Sequence, residues 1–212
     1  MKFHLCNSSG KLNRCGKQLF TVGESAIQRI QQLLPVTQVD IVLYHNPSFV
    51  IPETGICGNA PTPHAVWIAL DPDNPNFDRN LDEEFTATLA HELHHCMRWR
   101  GPGTGYFTSL RDALITDGLA VAFELEFRRA KSSLAYLQEL SDEEAESLLT
   151  LARDEFEAEA YDHREWFFSG SSARNIPQFA GYRLGYRVVK DYISLTGRSA
   201  ASLWHQPARD FF

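Results

Sequence analysis

His91, Glu92 and His95 constrain this chain more than any other residues do. They sit in His91-Glu92-Leu93-His94-His95, the HExxH arrangement in which two imidazoles four residues apart serve one metal ion. Only a helix makes that spacing useful, because residues i and i+4 share one face, one turn apart. The fold must therefore run a helix through this segment. It must also bring back a second element, since catalytic zinc takes three protein ligands and keeps one position for water. The glutamate leans to the side, where it can hold that water. The pattern points to an enzyme, to Zn2+ as its metal and to hydrolysis as its reaction.

The flanking residues support the helix. Leu81, Phe85, Leu89, Leu93 and Cys96 recur on one side, behind an Asn80…Glu83 start signal. At ~100° per residue, His91 and His95 fall roughly 120° from the centre of that stripe, off the main buried face. Gly101-Pro102-Gly103-Thr104-Gly105 ends the helix. Three more helices are expected: about Ser109 to Arg129, from the Ser141…Glu144 capping box to about Tyr161, and about Pro177 to Leu195.

Ahead of the motif the chain reads differently. Residues 2–6, 38–44 and 64–70 have the composition of strands. A Thr21…Glu24 capping box opens a helix that Pro35 ends, and the Pro- and Gly-punctuated stretch from Pro47 to Pro63 reads as loop. Strands first and helices after predict an α+β fold. We expect one domain over 1–212, with a small N-terminal mixed sheet and motif helix to about residue 100 and a helical part from about 106.

The third ligand is not in the motif. A longer histidine version of the pattern needs Gly and His where this chain has Arg98 and Gly101. A carboxylate from a following helix is the alternative, and Asp117 is the best placed. Asp117-Gly118 interrupts an otherwise good helical pattern with two poor helix formers, and such breaks mark functional constraint. The glycine would let two helices approach. Twenty-one residues separate His95 from Asp117, enough for a turn and a returning half-helix. The bland alternative makes Asp117-Gly118 a turn between two shorter helices. Glu124, two turns on, is the rival ligand. Asp112 or Glu84 can orient the imidazoles through their other ring nitrogen. His94 reads as a polar or surface neighbour, and Cys96 as core.

Composition removes other classes. A net charge of −7 repels nucleic acid and anionic membrane. No segment approaches the ~18 apolar residues of a membrane span, and the N-terminus has no signal-like apolar run. Cys6, Cys15, Cys57 and Cys96 form no CxxC pair and do not read as a disulfide framework. A cytoplasmic protein is the expectation.

Several further segments carry a resemblance. Val50-Ile51-Pro52-Glu53-Thr54-Gly55, Leu70-Asp71-Pro72, Thr88 to His95 with Arg98, Thr116-Asp117-Gly118-Leu119-Ala120, Ile176 to Tyr182 and Gly185-Tyr186 together resemble the predicted zinc-dependent protease family typified by YjaZ-like bacterial proteins. The wider similarity is to gluzincins. It implies a zincin-like fold and a peptide or protein substrate. It puts the third ligand at Asp117, where gluzincins have Glu. It implies Glu92 as general base to the zinc-bound water, and Tyr182 or Tyr186 as donor to the oxyanion. The strand 64–70 would lie at the sheet edge beside substrate, with His64 and Trp67 near the cleft. Arg183 and Arg187 are candidates for a substrate carboxylate. The competing class is a zinc-binding regulatory or binding protein of the same fold without peptidase activity.

Overall fold

The computed structural model describes residues 1–101, 109–129, 132, 134–156, 158 and 160–212. These divide into two compact units, one of Met1–Arg100 with Phe123–Ala130 and one of Gly101–Ala122 with Lys131–Phe212. Most of the Gly-rich loop expected after the motif helix lies outside the described residues.

The first unit is built on a four-stranded mixed sheet: β1 (Lys2–Cys6), β2 (Asp40–His45), β3 (Ile56–Thr62) and β4 (Ala65–Leu70) in the order β1-β2-β4-β3. β1–β2 and β2–β4 are parallel, and β3 runs antiparallel to β4. Helix α1 (Gly16–Leu33) is the crossover from β1 to β2, and the motif helix α2 (Phe77–Arg100) packs against α1, β3 and β4. In register, Phe3, Ile41 and Val66 stand side by side, and so do Leu5, Leu43 and Ile68. This is the helix-covered face. Each fully buried side chain of this kind contributes about 1.5–3 kcal/mol. α1 meets it through Leu19, Gly23, Ala26 and Ile30, spaced for one helical face. A Cβ on Gly23 would enter the Phe3 ring, so glycine lets α1 lie close to β1.

The second unit is helical. It holds the greater part of α3 (Leu110–Leu125), together with α4 (Asp142–Glu155) and α5 (Ala180–Thr196). α3 is buried on every side from Ala113 to Glu124, as expected for a helix apolar all round. Ser141 and Glu144 form the expected capping box at α4. α3 and α5 cross at Gly118 and Gly185. A Cβ on Gly118 would fall on the Gly185 backbone, and one on Gly185 on the Leu114 carbonyl.

An α+β order of sheet first and helices after is what the structure shows. Several finer expectations change. β3 lies inside the stretch read as loop. Gly58, Asn59 and Pro61 look like turn residues, but an edge strand tolerates them, and the ladder is irregular between Asn59 and Thr62. β4 is therefore interior, paired on both sides, and β3 is the edge. α1 begins a turn and a half before Thr21, whose hydroxyl donates to the Lys17 carbonyl inside the helix instead of capping it. α2 starts at Phe77, not Asn80. α3 ends at Leu125, α4 at Glu155, and α5 begins only at Ala180, after Phe179 takes a left-handed φ of 60°. Residues 157 and 159, within the stretch read as the end of α4, lie outside the described residues.

Candidate metal centre

α2 presents its motif in a buried turn. His91, Glu92, His94 and His95 are all buried, as is every residue from Phe85 to Arg98 apart from Thr88. The expectation of a histidine pair off the buried face is corrected here. The sheet covers one side of α2, and the end of α3 covers the side that carries His91.

The two imidazoles face each other. His91 Nε2 and His95 Nε2 are 3.0 Å apart. The other nitrogen of His91, Nδ1, is 2.9 Å from Glu124 Oε2. With Nδ1–H donated to that carboxylate, His91 keeps its Nε2 lone pair turned toward His95, the tautomer a metal ligand needs. His91, His95 and Asp117 each offer one ligand atom within 4.8 Å of the other two. This group can hold a metal ion. Two nitrogens at 2.0–2.1 Å from one tetrahedral zinc stand about 3.3 Å apart, so the observed spacing fits with little adjustment. Two imidazoles and a carboxylate are also a donor set suited to zinc.

Glu124 sits behind His91, as its orienting partner. It is 1% exposed, and burial pushes its carboxyl up. The His91 hydrogen bond and the Arg128 guanidinium more than offset this, and its pKa lies below the usual value. A direct bond from Asp112 or Glu84 to an imidazole, as expected from sequence, is not found among the described residues. Asp112 bonds to Ser109 at the start of α3, and Glu84 pairs with Arg128. The sequence held a signal for Glu124, a carboxylate two turns after Asp117 on one helical face, but not which atom of which histidine it meets.

Glu92 is placed by a residue that the sequence did not single out. A Cβ on Gly58 of β3 would come 2.6 Å from Glu92 Cγ, 2.9 Å from Glu92 Oε1 and 2.8 Å from Thr88 Cγ2. The missing side chain is the room in which the Glu92 carboxylate lies, between the edge strand and α2. Its charge is felt by Cys57 and Cys96. Burial first, and Glu92 second, push both thiols up to about 12, and neither belongs to a group with metal-ligand spacing among the described residues. The Cys96 thiol points to the Thr62 and Ala65 carbonyls, in the core as expected. His94 is fully buried against Phe123, with ring centroids 5.6 Å apart, and is not a surface residue.

The remaining expected residues spread over both units. Tyr182 lies in an aromatic cluster with Tyr136, Phe167 and Phe168. Tyr186 lines a cavity of about 560 Å³ with Glu139, Arg183, Arg187 and Lys190, and burial raises its phenol pKa. Arg187 is tied to Asp142 and Asp191, and Arg183 donates to the Gln138 and Glu139 carbonyls. These arginines hold α5 to the start of α4. A tyrosine not singled out from sequence, Tyr161, bonds to His163 Nδ1 at 2.8 Å, and its phenol is pushed up by burial and then by the charge of Asp117. His64 bonds through Nδ1 to the Gln38 carbonyl, and Trp67, 47% exposed, packs edge-on to Tyr44 on the sheet face away from α2. A second group, His45, Asp71 and Asp73, has ligand spacing, but Lys11 already pairs with Asp73 at 2.7 Å.

No helix among the described residues is long and apolar enough to cross a membrane. No curated protein and no solved structure matches the chain. A match over residues 19–212, nearly the whole sequence, shows that the chain belongs to the family described as "Predicted Zn-dependent protease (DUF2268)".

Proposed function

We propose that the protein is a zinc-dependent peptidase in which His91, His95 and Asp117 hold the metal and Glu92 is the general base. The observation that carries the reading is the pair of Nε2 atoms facing each other at 3.0 Å, with Glu124 fixing the His91 tautomer from behind. Asp117 closes the ligand set with a carboxylate shorter than the glutamate that gluzincins use. A zinc ion there supplies the charge that polarises a scissile carbonyl and acidifies water.

The residues of this chain do the rest. Glu92 takes a proton from the attacking water and returns it to the leaving amine. Gly58 leaves its carboxylate room beside β3. β3, the edge strand, is the candidate for pairing with an extended peptide, in the role first expected of strand 64–70. The mixed sheet with its antiparallel edge strand beside the motif helix supports the reading of a zincin-like fold. For the oxyanion donor, the resemblance offers Tyr182 and Tyr186. Tyr161, on which the charge of Asp117 acts, joins them.

Glu92→Gln tests the reading. The variant keeps the side-chain volume and loses the base. Bound zinc should persist by elemental analysis, while peptide cleavage falls about 10²- to 10⁴-fold. A wild type that carries no zinc would sink the proposal. Zinc without cleavage across a broad peptide library would favour the zinc-binding regulatory protein instead.

A further inference from the structure

Behind His91 lies a hydrogen-bonded chain of four side chains: His91, Glu124, Arg128 and Glu84. His91 Nδ1 meets Glu124 Oε2 at 2.9 Å. The other oxygen of that carboxylate, Oε1, accepts from Arg128 Nη2 at 2.6 Å and from Nε at 3.1 Å. The same guanidinium then forks onto Glu84: Nη1 to Oε1 at 2.7 Å and Nη2 to Oε2 at 2.9 Å. Arg128 is 3% exposed and Glu84 14%. Glu84 lies on α2, two turns before His91, and Glu124 lies on α3, two turns after Asp117.

A buried guanidinium between two carboxylates is costly to assemble and is weak support for stability in itself. What it does well is fix geometry, because the planar fork accepts few alternative arrangements. Here it ties the helix that carries His91 and His95 to the end of the helix that carries Asp117. It also takes one oxygen of Glu124, leaving the other directed at His91. Within these four groups two carboxylates face one guanidinium, and a divalent cation held by His91 on its far side would offset the remaining negative charge.

We propose that Arg128 and Glu84 are positioning residues for the metal: they act through Glu124 to hold His91 in its ligating orientation and set zinc affinity. This rests on the metal-site reading above. Arg128→Lys keeps the charge but cannot span both carboxylates, and Glu84→Gln weakens the far end of the fork while leaving Arg128 in place.

The experiment measures the zinc Kd by chelator competition, the visible spectrum of the cobalt-substituted protein and the melting temperature without metal. Each reading is taken on folded protein. Arg128→Lys should weaken zinc about 10- to 100-fold, Glu84→Gln should weaken it in the same direction, and the cobalt bands should shift in both. If Arg128→Lys does not fold, Glu84→Gln decides alone. Zinc affinity within about twofold of wild type and an unchanged cobalt spectrum, with only the metal-free melting lowered, would make the clamp purely structural and overturn the proposal. A wild type that binds no zinc is a different failure, that of the metal-site reading itself.

Discussion

At the residue scale, Gly58 shows how an absent side chain places a reactive one. Gly58→Ala would set a methyl 2.6 Å from Glu92 Cγ, and the glutamate is the side that can yield. A displacement of about 1 Å at a catalytic group costs on the order of 10²-fold in rate. We therefore expect kcat to fall about 10²-fold while zinc content stays at the wild-type level, because the atoms nearest the added methyl belong to Glu92 and Thr88. Unchanged kcat, in a steady-state assay beside a zinc determination, would separate Glu92 from the base role or Gly58 from its placement. His91, Glu92 and His95 stand out in the sequence as a candidate set because helical spacing relates them, and Asp117 stands out because Asp-Gly breaks the pattern of its own helix. Glu124 was legible only as a rival ligand. Whether a carboxylate reaches a metal or the back of an imidazole depends on side-chain direction, which spacing does not contain.

At the element scale, the crossing of α3 and α5 decides what Gly118 is for. The sequence suggested a glycine that lets a helix approach the motif helix. The structure puts the close approach at Gly185 of α5. In an exposed helix, Gly to Ala stabilises by about 1 kcal/mol. Here the methyl would meet backbone, which cannot rotate away, and overpacking of this kind costs about 1–3 kcal/mol. Gly118→Ala should therefore lower stability in denaturant melts, and zinc affinity with it, since Asp117 is the next residue. A stabilised variant would show that the two helices part easily. β3 was invisible for a related reason. Its Gly, Asn and Pro belong to turns by propensity, and only pairing with β4 at the edge of the sheet makes them a strand.

At the scale of the molecule, metal and fold should be linked. A ligand that binds only the folded state adds about 2.7 kcal/mol at a concentration 100 times its Kd. For a chain of this length, each kcal/mol moves melting by about 2–4 °C. Stripping zinc with a chelator should then lower the melting temperature by roughly 5–10 °C, and added zinc should restore it in proportion to the logarithm of its concentration. Melting that ignores both treatments, followed by calorimetry, would mean that the ligand atoms do not gather around a metal.

The sequence by itself determined the motif helix, the carboxylate to search for after it, and the order of sheet and helices, because each follows from a period or a spacing along one chain. The tertiary structure decided which strand forms the edge beside Glu92, which carboxylate stands behind His91 and where the Asp117 helix makes its close contact. Those are choices among partners far apart in sequence. Propensity ranks such partners only weakly, and burial, pairing and the reach of a guanidinium select among them.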